Sequence, residues 1–221
     1  MPTVITDDVT VHIPDWVVDL ASFGRWAESD EFPEEGRVSF IDGDVWVDMS
    51  LEQVFSHVKV KTLFTRVVGN IVADAELGEC LGDGVRVVNE AGDVSNVPDA
   101  LVILAETFRA GRVQLVEGKE GGFTSVRGSP DIVLEVVSHS SVDKDCDWLM
   151  TAYYDAGVRE YWLVDARGKS LRFDIYRAGP KGFVAGRKSD GWVKSPVLGK
   201  SFRFAARPNP LGHPDYVLEV R

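Results

Sequence analysis

Two carboxylates stand at related places in the chain. Asp99 closes the tripeptide Val97-Pro98-Asp99 ahead of the apolar run Ala100 to Leu104, and Glu135 interrupts the apolar run Ile132 to Val137 that follows Pro130-Asp131. A buried, unpaired charge costs several kcal/mol or shifts its pKa until it is neutral. Glu135 therefore requires a cleft at a strand end, a metal ion, or a Lys or Arg partner. If the two runs are neighbouring strands, Asp99 and Glu135 approach one another across a sheet, and Lys144, nine residues after Glu135, stands at the start of the following helix. Two carboxylates and an ammonium in one cleft suit metal-assisted hydrolysis of a phosphodiester. The carboxylates would hold a hard divalent cation, Mg²⁺ or Mn²⁺; the lysine would orient the attacking water or stabilise developing negative charge. Pro-Asp alone is a common turn signal, and it recurs at Pro14-Asp15 and Pro214-Asp215 with no claim to chemistry.

The elements that must position these residues centre on Ser129 to Asp165. The β-branched run Ile132 to Val137 reads as a central strand covered on both faces. Ser138 to Ser141 read as a turn and helix start, and Trp148, Ala152 and Ala156, with Tyr153 beside them, form a helical face that stops at Gly157. Tyr161 to Asp165 is a second strand, so the whole has the size of a strand, helix, strand crossover. Upstream, Asp15 behind Pro14 would cap a short helix from Trp16 to Trp26. A hairpin follows, Val38 to Ile41 and Val45 to Met49 around Asp42-Gly43. A long helix is expected over Leu51 to Ala75, with Gly78 as its stop, and His57 and Lys61 share one face of it. Val85 to Asn89 reads as a strand, and Leu115 to Gly122 as an exposed Gly and Glu rich loop. Beyond the crossover, Leu171 to Tyr176, Gly182 to Ala185 and Phe202 to Phe204 read as short antiparallel strands joined through Trp192, Val193 and the Gly199 turn.

At 221 residues the chain suits one domain, or one domain with an appendage, and its 44% apolar and 27% charged residues are ordinary for a soluble globular protein. It contains no apolar segment near the ~20 residues that span a bilayer, and Met1 to Asp8 has neither a basic start nor an apolar signal core, so the cytoplasm is the expected compartment. Cys80 and Cys146 lack metal-ligand spacing and are expected to be reduced, buried packing residues. The net charge of −11 opposes a phosphate-binding surface. A partner of that kind requires a local basic stripe, drawn from Lys59, Lys61, Arg66, Arg86, Arg109, Arg112, Lys119 and Arg127.

The succession of a DG hairpin, a helix with a histidine, VPD, then PDIVLEVVS, KD, AGV and EYWLVD resembles the Uma-type restriction endonuclease family, a branch of the PD-(D/E)XK nuclease superfamily, over roughly Val38 to Tyr176. The resemblance implies an α/β fold: a restriction-endonuclease-like core with a mixed central sheet flanked by helices, to which this chain adds antiparallel strands at its C-terminal end. The chain is expected to divide into an acidic extension with a short helix, 1–36, and a single nuclease-like domain, 37–221. The resemblance implies Mg²⁺-dependent endonuclease action on DNA, with Asp99 and Glu135 as metal ligands. The superfamily's lysine, two residues after the glutamate, is here Val137, and the position to which many family members move it is here Leu149. Lys144 resembles the lysine of a subgroup with a similar SSVxKD segment. His57 resembles a family histidine, with a polar contact on a half-buried helix as its other reading. Asp44 stands where members often carry a glutamate, with a plain turn residue as its other reading; Lys61 could reach whatever His57 reaches. Asp131 is expected to bond local backbone amides, and Asp145 to cap or pair near the helix start. Three functions stay open: a nuclease, as a homodimer if both strands of a duplex are cut; a catalytically weakened nuclease fold kept for binding or regulation; and a phosphoryl-transfer enzyme with a smaller substrate.

Overall fold

The computed structural model describes residues 3–5, 10–119 and 121–221. The reading of Met1 to Asp8 as free of a signal segment falls mostly outside these residues. Strands β1 (Thr3–Ile5) and β2 (Thr10–His12) form a small antiparallel ladder. Helix α1 is Leu20–Ala27, later than the expected Trp16 start. Its cap is Asp19 and not Asp15, because Ser22 three residues on returns the bond: Ser22 N donates to Asp19 Oδ1 at 2.7 Å and Asp19 N donates to Ser22 Oγ at 2.9 Å.

The hairpin is β3 (Arg37–Ile41) and β4 (Asp44–Asp48), and Asp42 and Gly43 both take positive φ, as a tight two-residue turn demands. The long helix begins later than Leu51, with a π-helical turn at Val54–Val58 that runs into α2 (Lys59–Asp74). It does not stop at Gly78: the left-handed residue is Glu76, and Gly78 opens β5 (Gly78–Gly82), a strand the apolar pattern does not reveal. Next come β6 (Arg86–Asn89), β7 (Val94–Asn96), β8 (Ala100–Leu104) and the short α3 (Ala105–Arg109). The expected loop from Leu115 is instead the end of β9 (Val113–Glu117), paired with β10 (Phe123–Gly128). Its glycines make only the turn, where Gly118 N donates to Gly122 O at 2.9 Å.

Strand β11 (Ile132–Val136), a second π-helical turn at Lys144–Trp148, α4 (Leu149–Asp155) and β12 (Glu160–Asp165) form the crossover, with β11 and β12 parallel. Then follow β13 (Arg172–Gly179), β14 (Gly182–Ala185), β15 (Lys188–Ser189), β16 (Trp192–Ser195), β17 (Lys200–Ala206) and β18 (Tyr216–Val220). Trp192 and Val193, expected as a connection, belong to β16.

The central mixed sheet runs β14-β13-β12-β11-β8-β5, a second mixed sheet runs β4-β3-β7-β6-β10-β9, and β15 to β18 form an antiparallel sheet. Alternation along the central strands separates two cores. Val102, Leu134 and Trp162 face Phe64 and Val68 of α2 and Phe202 of the C-terminal sheet. Leu101, Val133 and Leu163 face Leu149 and Tyr153 of α4 together with Val87 of the second sheet. A third cluster seats Phe23 and Trp26 of α1 on Val38 and Phe40. Trp148 does not join the face of Ala152; it is exposed and lies against Trp46. Cys80 and Cys146 are free but half-buried, not buried.

The C-terminal sheet is tied to the central one through Glu160, which accepts from Trp162 Nε1 at 2.9 Å, Ser195 Oγ at 2.7 Å and Val197 N at 2.9 Å. At the opposite edge, Gly78 has φ +152, and a Cβ there would lie 2.1 Å from Ile103 O. Gly78→Ala must therefore part β5 from β8. The expected loss is ~2 kcal/mol or more, measured as a lower urea midpoint with an unchanged slope.

Candidate active site

Strands β8 and β11 are antiparallel neighbours, with Leu134 opposite Ala100. One further step of that register sets Asp99 against Glu135, and both fall on the face turned toward α4 and the second sheet. Each is only 2% exposed. They line a small cavity of about 30 Å³ together with Arg37, His57, Lys144 and Asp145. A volume of that size admits about one or two waters or an ion.

Asp99 is heavily bonded. Its Oδ2 accepts from Val136 N at 2.7 Å and lies 3.4 Å from His57 Nε2; its Oδ1 accepts from Arg37 Nη1 at 3.0 Å and lies 3.6 Å from Lys61 Nζ. Burial pushes the carboxyl up, but the His57 bond and the charges of His57, Arg37 and Lys61 outweigh it and hold Asp99 well below the usual carboxylate range. Burial pushes His57 down in turn, and Asp99 more than reverses this, so the imidazole is raised. Glu52 completes the group: its Oε1 pairs with Arg37 Nη2 and with Lys61 Nζ, the latter at 2.6 Å. Its Oε2 lies 3.4 Å from the buried His57 Nδ1, without hydrogen-bond alignment. Asp83 Oδ2, 2.5 Å from Arg37 and 2.7 Å from Lys61, closes the network on its outer side.

Glu135 is in a drier setting. Asn96 Nδ2 donates to its Oε1 at 3.0 Å and to Tyr153 OH at 2.9 Å, and Ser39 Oγ donates to Asn96 Oδ1 at 2.6 Å. Burial first, then the charges of Asp145 and Asp99, raise its carboxyl well above the ordinary value. Lys144, 8% exposed, has Nζ 3.6 Å from Asp145 Oδ1. Burial pushes Lys144 down, but Asp145, Glu135 and Asp99 overcome it, and the amine is raised and charged. Ser141 Oγ donates to Asp145 Oδ2, and Tyr161 OH donates to the Asp145 carbonyl at 2.7 Å.

The two π-helical turns deliver His57 and Lys144 to the cavity. In the first, Val58 N bonds Gln53 O at 3.0 Å, a span of five residues that shifts the phase of the side chains from that of α2. Both residues are buried polar groups on turns whose apolar neighbours, Val54 and Trp148, are exposed. Val137 and Leu149, at the two usual lysine positions, lie in the apolar core. Asp44 is exposed at the hairpin turn and is not brought to the cavity. Asp131 bonds an amide of the neighbouring strand, Leu104 N at 2.8 Å, and pairs with Arg112 and Arg159 away from the cavity. Of the eight basic residues proposed for a stripe, Lys61 reaches the site. Lys59, Arg112, Lys119 and Arg127 pair with Asp215, Asp131, Asp30 and Glu90. Arg37, Glu52, Asp83 and Asn96 carry no sequence signal for the site, since a polar residue at a strand start, in a loop or in a short strand has no local pattern that marks it.

As metal donors, Glu52, His57 and Asp99 each offer an atom within 4.8 Å of the others. Carboxylate oxygens suit a hard ion, and the buried His57 Nδ1 without a hydrogen-bond partner is an orphan that a nitrogen-accepting ion such as Mn²⁺ would use. The donor set thus fits a divalent cation, with Glu135 on the same cavity wall.

A profile of the Uma2 family, described as putative restriction endonucleases, matches residues 20–202. The chain belongs to this family. The match includes α1 and β13 to β16 and ends within β17. Among solved structures, a putative nuclease of DUF820 from Anabaena variabilis superposes with a TM-score of 0.60 at 16% identity, over 82% of this chain and 91% of that one. The fold is thus nuclease-like. None of the curated proteins matches the chain.

Burial, opposed by Lys144 and the Ser141 bond, pushes Asp145 up to about 6. A carboxyl raised in the fold binds its proton more tightly there than in the unfolded chain, so its contribution falls as pH rises from ~4 through ~6. Asp145→Asn keeps an acceptor for Ser141 without the charge. It is expected to be more stable than the parent by ~1 kcal/mol or more at pH 8 and to lose that advantage at pH 4, as read by urea denaturation at both values.

Proposed function

We propose that the protein is a metal-dependent endonuclease that hydrolyses DNA phosphodiesters in the cytoplasm, with residues 37–221 as the nuclease-like domain and 1–36 as its acidic extension. The observation that carries the reading is the pairing of Asp99 with Glu135 across adjacent strands in one buried cavity, beside Glu52 and His57. Asp99 and Glu135 would hold Mg²⁺ or Mn²⁺, with His57 and Glu52 as further donors. The chemistry supplied there would be polarisation of the phosphate and a lowered pKa of a bound water.

The chain's own residues supply the rest. Lys144 Nζ, kept charged by Asp145 and Glu135, donates to the attacking water or to a phosphate oxygen as negative charge grows on it. Val136 N and Arg37 hold Asp99 in one orientation from two sides, so its lone pairs are aimed before any ligand arrives. Lys61 balances Glu52 and Asp83 and keeps that side of the cavity from excess negative charge. Asp44 plays no part in this scheme. A two-fold pair is the simplest arrangement for cutting both strands of a duplex.

One observation favours a second reading, a weakened nuclease fold retained for binding: Val137 and Leu149 are locked in the core, so Lys144 is the lysine that must serve. Calorimetry with Mn²⁺ at neutral pH, on the intact protein, Asp99→Ala and Glu135→Ala, separates the two. The nuclease reading expects one or two ions per chain, lost in both variants, with metal-dependent cleavage of DNA that Lys144→Ala lowers by ~10²–10³ in kcat. A folded protein that binds no ion supports the weakened fold.

A further inference from the structure

A second concavity, about 440 Å³, lies against the first. No residue lines both, but their linings adjoin at two places. The turn that carries Glu52 and His57 into the metal-donor group presents Gln53, Phe55 and Ser56 to this groove. On the other side Arg167, which lines the groove, donates to the carbonyl of Ser138, which lines the cavity, at 3.2 Å. The groove therefore lies beside the wall of the cavity that Asp99 and Glu135 line.

The lining has two kinds of group. Arg167, Lys169 and Arg207 line the groove with one carboxylate, Asp215, which pairs with Lys59 at 2.6 Å and Arg207 at 2.5 Å, while Arg167 pairs with Asp165 at 2.7 Å just outside the lining. Lys59, Arg167, Lys169 and Arg207 thus meet two carboxylates, Asp165 and Asp215, a local positive excess in a chain of net charge −11. The second kind is aromatic: Phe55 and His213 stack, with centroids 4.9 Å apart and planes 19° from parallel, and His213 is otherwise exposed. Cations along a groove with an aromatic platform are the means by which proteins hold an unpaired strand, the cations on phosphates and the ring on a base.

Resting on the nuclease reading above, we propose that this groove holds a single-stranded segment of nucleic acid next to the bond to be cut. Its phosphates lie on Arg167, Lys169 and Arg207, and one unpaired base lies on His213. Substrates with a free strand or a flap are therefore bound in preference to blunt duplex.

The test uses the full chain in EDTA and follows fluorescence anisotropy of a labelled single-stranded oligonucleotide and of a blunt duplex of equal length. Lys169→Ala/Arg207→Ala is expected to weaken single-strand binding by ~10-fold or more and to make the slope of log K against log salt shallower by ~1.4. His213→Ala should weaken single-strand binding by ~5-fold or more while leaving the duplex nearly unchanged. Lys119→Ala/Arg127→Ala, exposed cations elsewhere, controls for loss of net charge. If the groove variants bind like the parent, or if the control double variant loses as much as they do, the groove assignment is overturned while the nuclease reading stands. If the parent binds neither oligonucleotide and cuts neither with Mn²⁺ present, both fall.

Discussion

The fold depends on a carboxylate that cannot reach water. Asp99 sits at the mouth of a central strand with a main-chain amide, an arginine, a histidine and a lysine drawn to its two oxygens. Each donor comes from a different element: β11, β3, the turn before α2, and α2 itself. One ionised group therefore fixes the relative placement of both mixed sheets and the long helix. Removing it would leave Arg37 and Lys61 to Glu52 and Asp83 on the more exposed side of the network. Charge pairs of this kind are costly to break from one side because the remaining partner is left in a poor solvent.

The second carboxylate is of the opposite character. Glu135 has one donor, from Asn96, and lies against Tyr153 and the charges of Asp99 and Asp145. Neighbouring acids driven in opposite directions, one held ionised and one pushed toward its neutral form, are the usual mark of a functional site. The same asymmetry is stored in the helices, where two π-helical turns bring His57 and Lys144 inward while Val54 and Trp148 remain outside.

Much of this was legible from residue order. The crossover Ile132 to Asp165 and the DG hairpin carry strong local signals, because a buried parallel strand needs an apolar run and a tight hairpin needs residues tolerant of positive φ. The approach of Asp99 to Glu135 was legible only on the condition that the two apolar runs are neighbouring strands, which is what the pairing of β8 with β11 supplies. What escaped was of two kinds. Strands β5, β7 and β16 are short or polar, with Glu79, Ser95 and Lys194 in them, and their pairing is decided by neighbours far along the chain. Arg37, Glu52 and Asp83 are separated by loops, and only the folded arrangement of β3, α2 and β5 makes them one network. The cap of α1 was misplaced because Asp15 and Asp19 both suit the position, and the choice between them rests on Ser22.

Glu160 has a bearing on the order in which the protein is completed. It stands in β12, beside the strand that bears Glu135, and two of its three donors, Ser195 and Val197, arrive more than thirty residues later in synthesis. Burial already drives its carboxyl upward with all three in place. Without Ser195 and Val197, Glu160 would keep only Trp162 Nε1 as a donor. The C-terminal strands thus complete the surroundings of β12, the strand beside the one that bears Glu135.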